Sequence, residues 1–237
     1  MIRDSFGFFS PSAAALRIPG VTTGWLHRWG PLAGALGVIC FIVAIVVYGT
    51  GPGDDDREIV DYFAKSSNQT KYIVAFYFFF AAFLLMLAFL ASLRAVLVEA
   101  EGTPGRLTAL AYAGGVASAV LLLAANAFFV APAITEKDSD KFVLNPNTYR
   151  FINDTGYVFF VTGVMAAVLM VVATSLIALR TGVFPRWFAW IGFLVALTLV
   201  VAFFFVPVFI LWGWILVASG YMLLSARRPP RPITTRP

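Results

Sequence analysis

Between residues 157 and 179 the chain carries no charged side chain, and these 23 residues, at about 1.5 Å each, make a helix of roughly 34 Å, enough to cross the ~30 Å hydrocarbon core of a bilayer. A helix-start signal precedes the run. Asn145 can cap the first turn with its side-chain oxygen, and Pro146 falls at the first helical position, where its missing N–H is no loss. Arg180 closes the run with a cation. Four more stretches lack Asp, Glu, Lys, Arg and His: 31–53, 72–93, 107–135 and 187–226. The last has 40 residues, about 60 Å as one helix and roughly twice the core, so it must fold back. Pro207 is the residue expected near that break.

These runs predict an all-α polytopic membrane bundle of six transmembrane helices, at about 31–50, 71–94, 106–131, 155–180, 186–206 and 207–226, within a domain covering 25–226. A chain 60% hydrophobic and 12% charged stands far from the roughly 25% charged residues of soluble domains. Residues 1–24 read as a cytoplasmic arm, because Ser10, Pro11 and Ser12 interrupt the apolar run a cleavable signal needs. Residues 227–237 read as a basic cytoplasmic tail.

Six spans also satisfy the charge rule. With both termini in the cytoplasm, the inner side holds eleven arginines against Asp4, Glu99 and Glu101, a net +8, and the outer side holds six basic residues against nine acids, a net −3. An excess of Lys and Arg in short loops marks the cytoplasmic face. The expected location is therefore the plasma membrane, N-in and C-in. The isoelectric point near 9.6 then reflects topology and attraction to anionic lipids, and no nucleic-acid partner is expected.

Arg28, Arg106 and Arg186 open the three outward-going spans, and Thr-x-Tyr-[Ile/Val] heads both inward-going spans two and four, at 70–73 and 155–158. The spacing is compatible with tandem two-helix hairpin repeats in one orientation. Interface preferences for arginine inside and tyrosine outside produce some of the same likeness. Small residues at Gly30, Gly34 and Gly37, at Ala111, Gly115 and Ala119, at Gly114 and Ser118, and at Gly163 and Ala167 predict close helix contacts.

Ionisable side chains within a bilayer are costly and are kept chiefly for relays, ion paths and catalysis. Between their charged ends the predicted spans contain no Asp, Glu, Lys, Arg or His. The sole cysteine, Cys40, excludes an internal disulfide and reads as a packing residue, and the sole histidine, His27, reads as a solvated interfacial group. No metal site, cofactor or catalytic residue is predicted. Polar groups gather instead at the outer face. Asn126 lies near the outer end of span three, while Asn153, Asp154 and Tyr157 head span four, with Arg150 four residues before Asp154. Converged, they would form a small site for an outer-leaflet lipid or polar solute; otherwise they are interhelical glue plus a surface ion pair. Asp54, Asp55, Asp56 and Glu58 form a weak candidate cation site. They equally suit the positive end of a short interfacial helix whose apolar face is Ile59, Tyr62 and Phe63.

The pattern of an Arg-Leu opening to span three, then ALAYAGGV, FINDTGYVFFV and ATSLIALRTGVFPRWFAWIGF, resembles uncharacterised bacterial six-helix integral membrane proteins of the domain-of-unknown-function type. The resemblance covers most of 28–227. It implies a bacterial plasma-membrane location and a six-helix fold and transfers no catalytic residue. The reading reached from sequence is a non-enzymatic accessory or lipid-interacting protein, with membrane lipids and a second copy or other membrane proteins as partners. The alternative is a facilitative transporter or small channel for a neutral or polar solute.

Overall fold

The computed structural model of the chain describes residues 24–139, 142–201 and 205–226, with side chains from 29 to 225 within them. The expected terminal arm and tail, and the side chains of Trp25, His27 and Arg28, lie outside the described residues. All regular structure within them is helical: α1 (Gly24–Tyr48), α2 (Asp56–Ala64), α3 (Ser66–Glu101), α4 (Arg106–Asp138), α5 (Pro146–Thr181), α6 (Arg186–Val200) and α7 (Val206–Ala226). Five of these, α1, α3, α4, α5 and α7, are long and apolar enough to cross a membrane.

The fifth expected span departs from expectation. Its helix covers the 15 residues of α6 instead of 186–206, about 22 Å at 1.5 Å per residue, which is short of a ~30 Å core. Pro207 explains why no single helix runs through: it offers no N–H to the preceding turn. It is accommodated in the first turn of α7 instead.

The six helices other than α2 form a ring in chain order. α1 packs on α3, α3 on α4, α4 on α5, α5 on α6 and α6 on α7, and α7 returns to α1. The interior is apolar, with Met86, Ala167, Met170 and Trp212 all buried, and no Asp, Glu, Lys or Arg is buried among the described residues. The α4–α5 seam is the tightest. A β-carbon on Gly114 would stand 2.6 Å from Leu169 Cβ and 2.9 Å from the Met170 backbone nitrogen, so only glycine lets these two backbones approach.

Helix ends are closed by side chains near in space. Asn145 Oδ1 accepts from Asn147 N at 2.9 Å and from Thr148 N at 3.3 Å, as its position before Pro146 predicts. At its head α4 begins at Arg106 behind a left-handed Gly105 that supplies no side chain. Glu101, at the end of α3, takes over. Its Oε1 accepts from Leu107 N at 2.9 Å, and its Oε2 accepts from Thr108 N at 2.7 Å and Thr108 Oγ1 at 2.6 Å. A carboxylate suits this place because unpaired N–H groups make a helix N-terminus positive.

α3, α4 and α5, with 36, 33 and 36 residues, are about 50–54 Å long and overrun a bilayer core. Their ends beside α2 build a small second core from Ile59, Phe63, Tyr72, Ala133, Leu144 and Tyr149. Asn68 Nδ2 donates to Tyr62 O at 2.9 Å, and Gln69 Nε2 to Phe63 O at 2.7 Å, so the first turn of α3 satisfies the last carbonyls of α2.

Candidate functional site

Each helix that meets beneath α2 contributes one stripe to a chamber of about 260 Å³. From α1 come Phe41, Ile45 and Tyr48; from α3, Phe79 and Phe83; from α4, Leu122, Ala125, Asn126 and Phe129; from α5, Asn153, Tyr157 and Phe160. These are the i, i+3, i+4 and i+7 spacings that put side chains on one helix face. Gly49 and Phe205 complete the wall. Its polar groups are the amides of Asn126 and Asn153 and the phenols of Tyr48 and Tyr157, and none of the lining side chains is ionised near neutral pH.

A second chamber of about 360 Å³ lies toward α2 and is polar. It is lined by the 50–54 loop together with Tyr72, Tyr149, Arg150 and Asp154, and it shares Tyr48 and Asn153 with the first. Tyr48 and Tyr72 rings lie 4.4 Å apart, and Phe63 packs 5.2 Å from both Tyr72 and Tyr149. The Tyr72 hydroxyl interacts with those of Tyr48 and Tyr149, though without the geometry of a full hydrogen bond. On α2, burial raises the Tyr62 hydroxyl above its ordinary value. The far side of the apolar chamber is closed by aromatic packing. Phe41 stacks on Trp212 at 4.8 Å, and Phe83 lies 6.2 Å from the same indole.

The four sequence-predicted polar residues thus divide between two spaces that share Tyr48 and Asn153 as walls. Asn126, Asn153 and Tyr157 line the apolar chamber, and Asn153 and Asp154 line the polar one. Asn126 is glue as well, since its Nδ2 donates to Phe76 O on α3 at 3.2 Å. Arg150 does not pair with Asp154 as its spacing suggests. Its Nη2 reaches Asp56 Oδ1 at 2.6 Å and Asp54 O at 2.7 Å, locking the loop before α2 to the head of α5.

Comparison with protein-family models, with curated proteins and with solved structures finds no match to this chain.

The acidic quartet lies on the loop before α2 and in its first turn. Asp54, Asp55, Asp56 and Glu58 are all exposed. Asp55 caps α2 by accepting from Arg57 N at 2.9 Å, Asp56 is spent on Arg150, and no group of three potential metal ligands occurs among the described residues. What sequence reasoning missed is the aromatic wall. Phe79 and Phe83 line the chamber while Phe78 and Phe80, in the same run, are exposed. Helical spacing from Asn126 and Tyr157 could have singled out Leu122, Phe129 and Phe160.

Proposed function

We propose that the protein is a plasma-membrane protein with six spans, both termini in the cytoplasm and α2 outside, and that it works without catalysis by binding a lipid-like amphiphile at its outer face. This agrees with the resemblance to bacterial six-helix membrane proteins and with the acidic balance of the loops beside α2. The observation that carries the reading is the pairing of an aromatic-walled chamber with a polar one across Tyr48 and Asn153. The polar one, at about 360 Å³, is within the range of small-molecule sites, and the apolar one, at about 260 Å³, shares those two residues with it. A tail drawn from a bilayer leaves one apolar medium for another. Its preference for the chamber therefore rests on packing against rings and on polar partners for its head. The amides and phenols of the apolar chamber bind and orient such a head but supply no general base near neutral pH.

Transport is the second reading, and a chamber of about 150 Å³ at the opposite end, lined by Pro31, Ser92, Glu99, Phe184 and Tyr221 among others, favours it. The buried Phe41–Trp212 stack, with Phe41 lining the apolar chamber, weighs against it. Native mass spectrometry of the purified protein tests binding. The wild type is expected to retain one lipid-sized adduct, and Ala125→Phe, which fills the chamber, to lose it while keeping its helical circular dichroism. A bare wild type, or an adduct indifferent to Ala125→Phe, refutes the proposal. Solute flux in liposomes, abolished by the same variant, would decide for transport.

A further inference from the structure

Resting on the lipid-binding reading above for the place of the head, we infer that the polar chamber beside α2 is a clasp for a primary ammonium group. Its N–H hydrogens would be donated to the Tyr72 hydroxyl, the Asn153 amide oxygen and the carboxylates of Asp54 and Asp154. The charge of the wall selects a cation. Asp54 and Asp154 line the chamber against Arg150, and that guanidinium is already engaged. Its Nη2 donates to Asp56 Oδ1 and to the Asp54 carbonyl, and its Nη1 to Asn147 Oδ1 at 3.2 Å. No ion pair engages the carboxylates of Asp54 and Asp154 among the described residues. Two acids therefore face a cation that a third acid has neutralised.

Exposed carboxylates alone attract an amine only weakly. The Tyr72 hydroxyl makes the difference. Tyr72 is 1% exposed, and its hydroxyl, though near those of Tyr48 and Tyr149, has no full hydrogen-bond partner. It is aimed at the chamber, because a β-carbon on Gly51, in the loop that lines the same space, would stand 3.2 Å from it. A buried hydroxyl in this state is costly until a ligand or a water completes its bonding.

Ring packing decides between kinds of ammonium. A quaternary ammonium is held over aromatic faces. Here the Tyr72 ring is covered by Tyr48, with centroids 4.4 Å apart, and is met by Tyr62 at 70° and by Phe63 at 73°. Tyr149 packs on Phe63 at 5.2 Å. Much of the ring surface is thus spent within the cluster, and the hydroxyls remain for a ligand. A head with three N–H donors matches them, whereas one whose hydrogens are replaced by methyl groups does not. A lipid head carrying a primary amine and a free alkylamine share this chemistry.

The test uses full-length protein in nanodiscs holding equal amounts of phosphatidylethanolamine, its N-methyl and N,N-dimethyl derivatives and phosphatidylcholine, all with the same tails. Lipid retained on release from the disc is identified by native mass spectrometry. Retention should fall with each methyl group, the primary amine exceeding the quaternary one about tenfold. Tyr72→Phe, which keeps the ring and removes only the hydroxyl, should cut that preference about two- to tenfold, and Asp154→Asn, at an exposed position, should do the same without threatening the fold. Asp138→Asn, an exposed acid outside the chamber, should leave it unchanged. Thermal shifts of lipid-stripped protein with ethylammonium or tetramethylammonium chloride separate the sources. Stabilisation by ethylammonium alone, lost in Tyr72→Phe, with no lipid adduct in native mass spectrometry, would keep the clasp and overturn the lipid reading. Equal retention of all the lipids with no response to ethylammonium, or a preference indifferent to both chamber variants, would overturn the clasp and leave lipid binding intact. Circular dichroism confirms that each variant is folded.

Discussion

Replacing Glu101 by Ala should cost more than an ordinary helix cap, because its carboxylate serves two backbone N–H groups and one buried hydroxyl at once. Loss of a capping acceptor costs about 1 kcal/mol. Thr108 is 1% exposed, so its hydroxyl would be left buried and without its acceptor, adding about 1–3 kcal/mol. Partial exposure of Glu101 lets water repair some of this, which places the expected loss near 2 kcal/mol. For a chain of this size that is a fall in melting temperature of roughly 4–8 °C, read by a thermal melt in detergent. Glu101→Gln, which keeps an acceptor but not the charge, should lose about half as much. Glu99→Ala, two residues away and exposed, should stay within about 0.5 kcal/mol of wild type. A double-mutant cycle with Thr108→Val should give a coupling above about 0.5 kcal/mol. Strict additivity, or a Glu101→Ala protein as stable as Glu99→Ala, would mean that the clamp contributes nothing.

Gly114→Leu should be among the most damaging single changes, because its side chain would collide with the backbone of α5 at Met170; a loss of about 3 kcal/mol or more, or failure to purify folded, is expected from overpacking a seam that cannot open. Wild-type stability of this variant would show that the seam is loose. Arg150→Gln should cost under about 1 kcal/mol, since the Asp56 pair is exposed on both sides. Chemical unfolding at low and high salt should show that small difference shrinking as salt is added, and a salt-independent loss above 2 kcal/mol would contradict an exposed pair.

The parts of the fold written in local sequence are those whose cause is local. α5 occupies Pro146–Thr181 because Asn145, Pro146 and the apolar run after them act within a few residues of one another. The same holds for α2, where Asp55 caps the first turn and Ile59 and Phe63 are buried as one face. Glu101 was illegible because its partners lie six and seven residues on, across a turn in which Gly102 and Gly105 both take positive φ. Arg150 was misread for a related reason. Its long side chain can choose between Asp154 on its own helix and Asp56, 94 residues away, and only the assembled loop offers a carboxylate and the Asp54 carbonyl together. The chamber shows the same limit. Asn126, Asn153 and Tyr157 announce themselves as polar residues in apolar runs, whereas a phenylalanine facing a void and one facing lipid look alike until neighbouring helices are in place.

The unequal helix lengths bear on the lipid around the protein as well as on its interior. Beside α4 and α5 a bilayer of ordinary thickness is fully matched, but if the 15 residues of α6 are all that crosses on its flank, hydrocarbon there would have to compress, splay or tilt to keep its ends in water, at a fraction of a kcal/mol per Å of mismatch. Strain of this kind is relieved by short, unsaturated or single-tailed lipids. The shallow flank would therefore gather around itself a local membrane thinner than its surroundings.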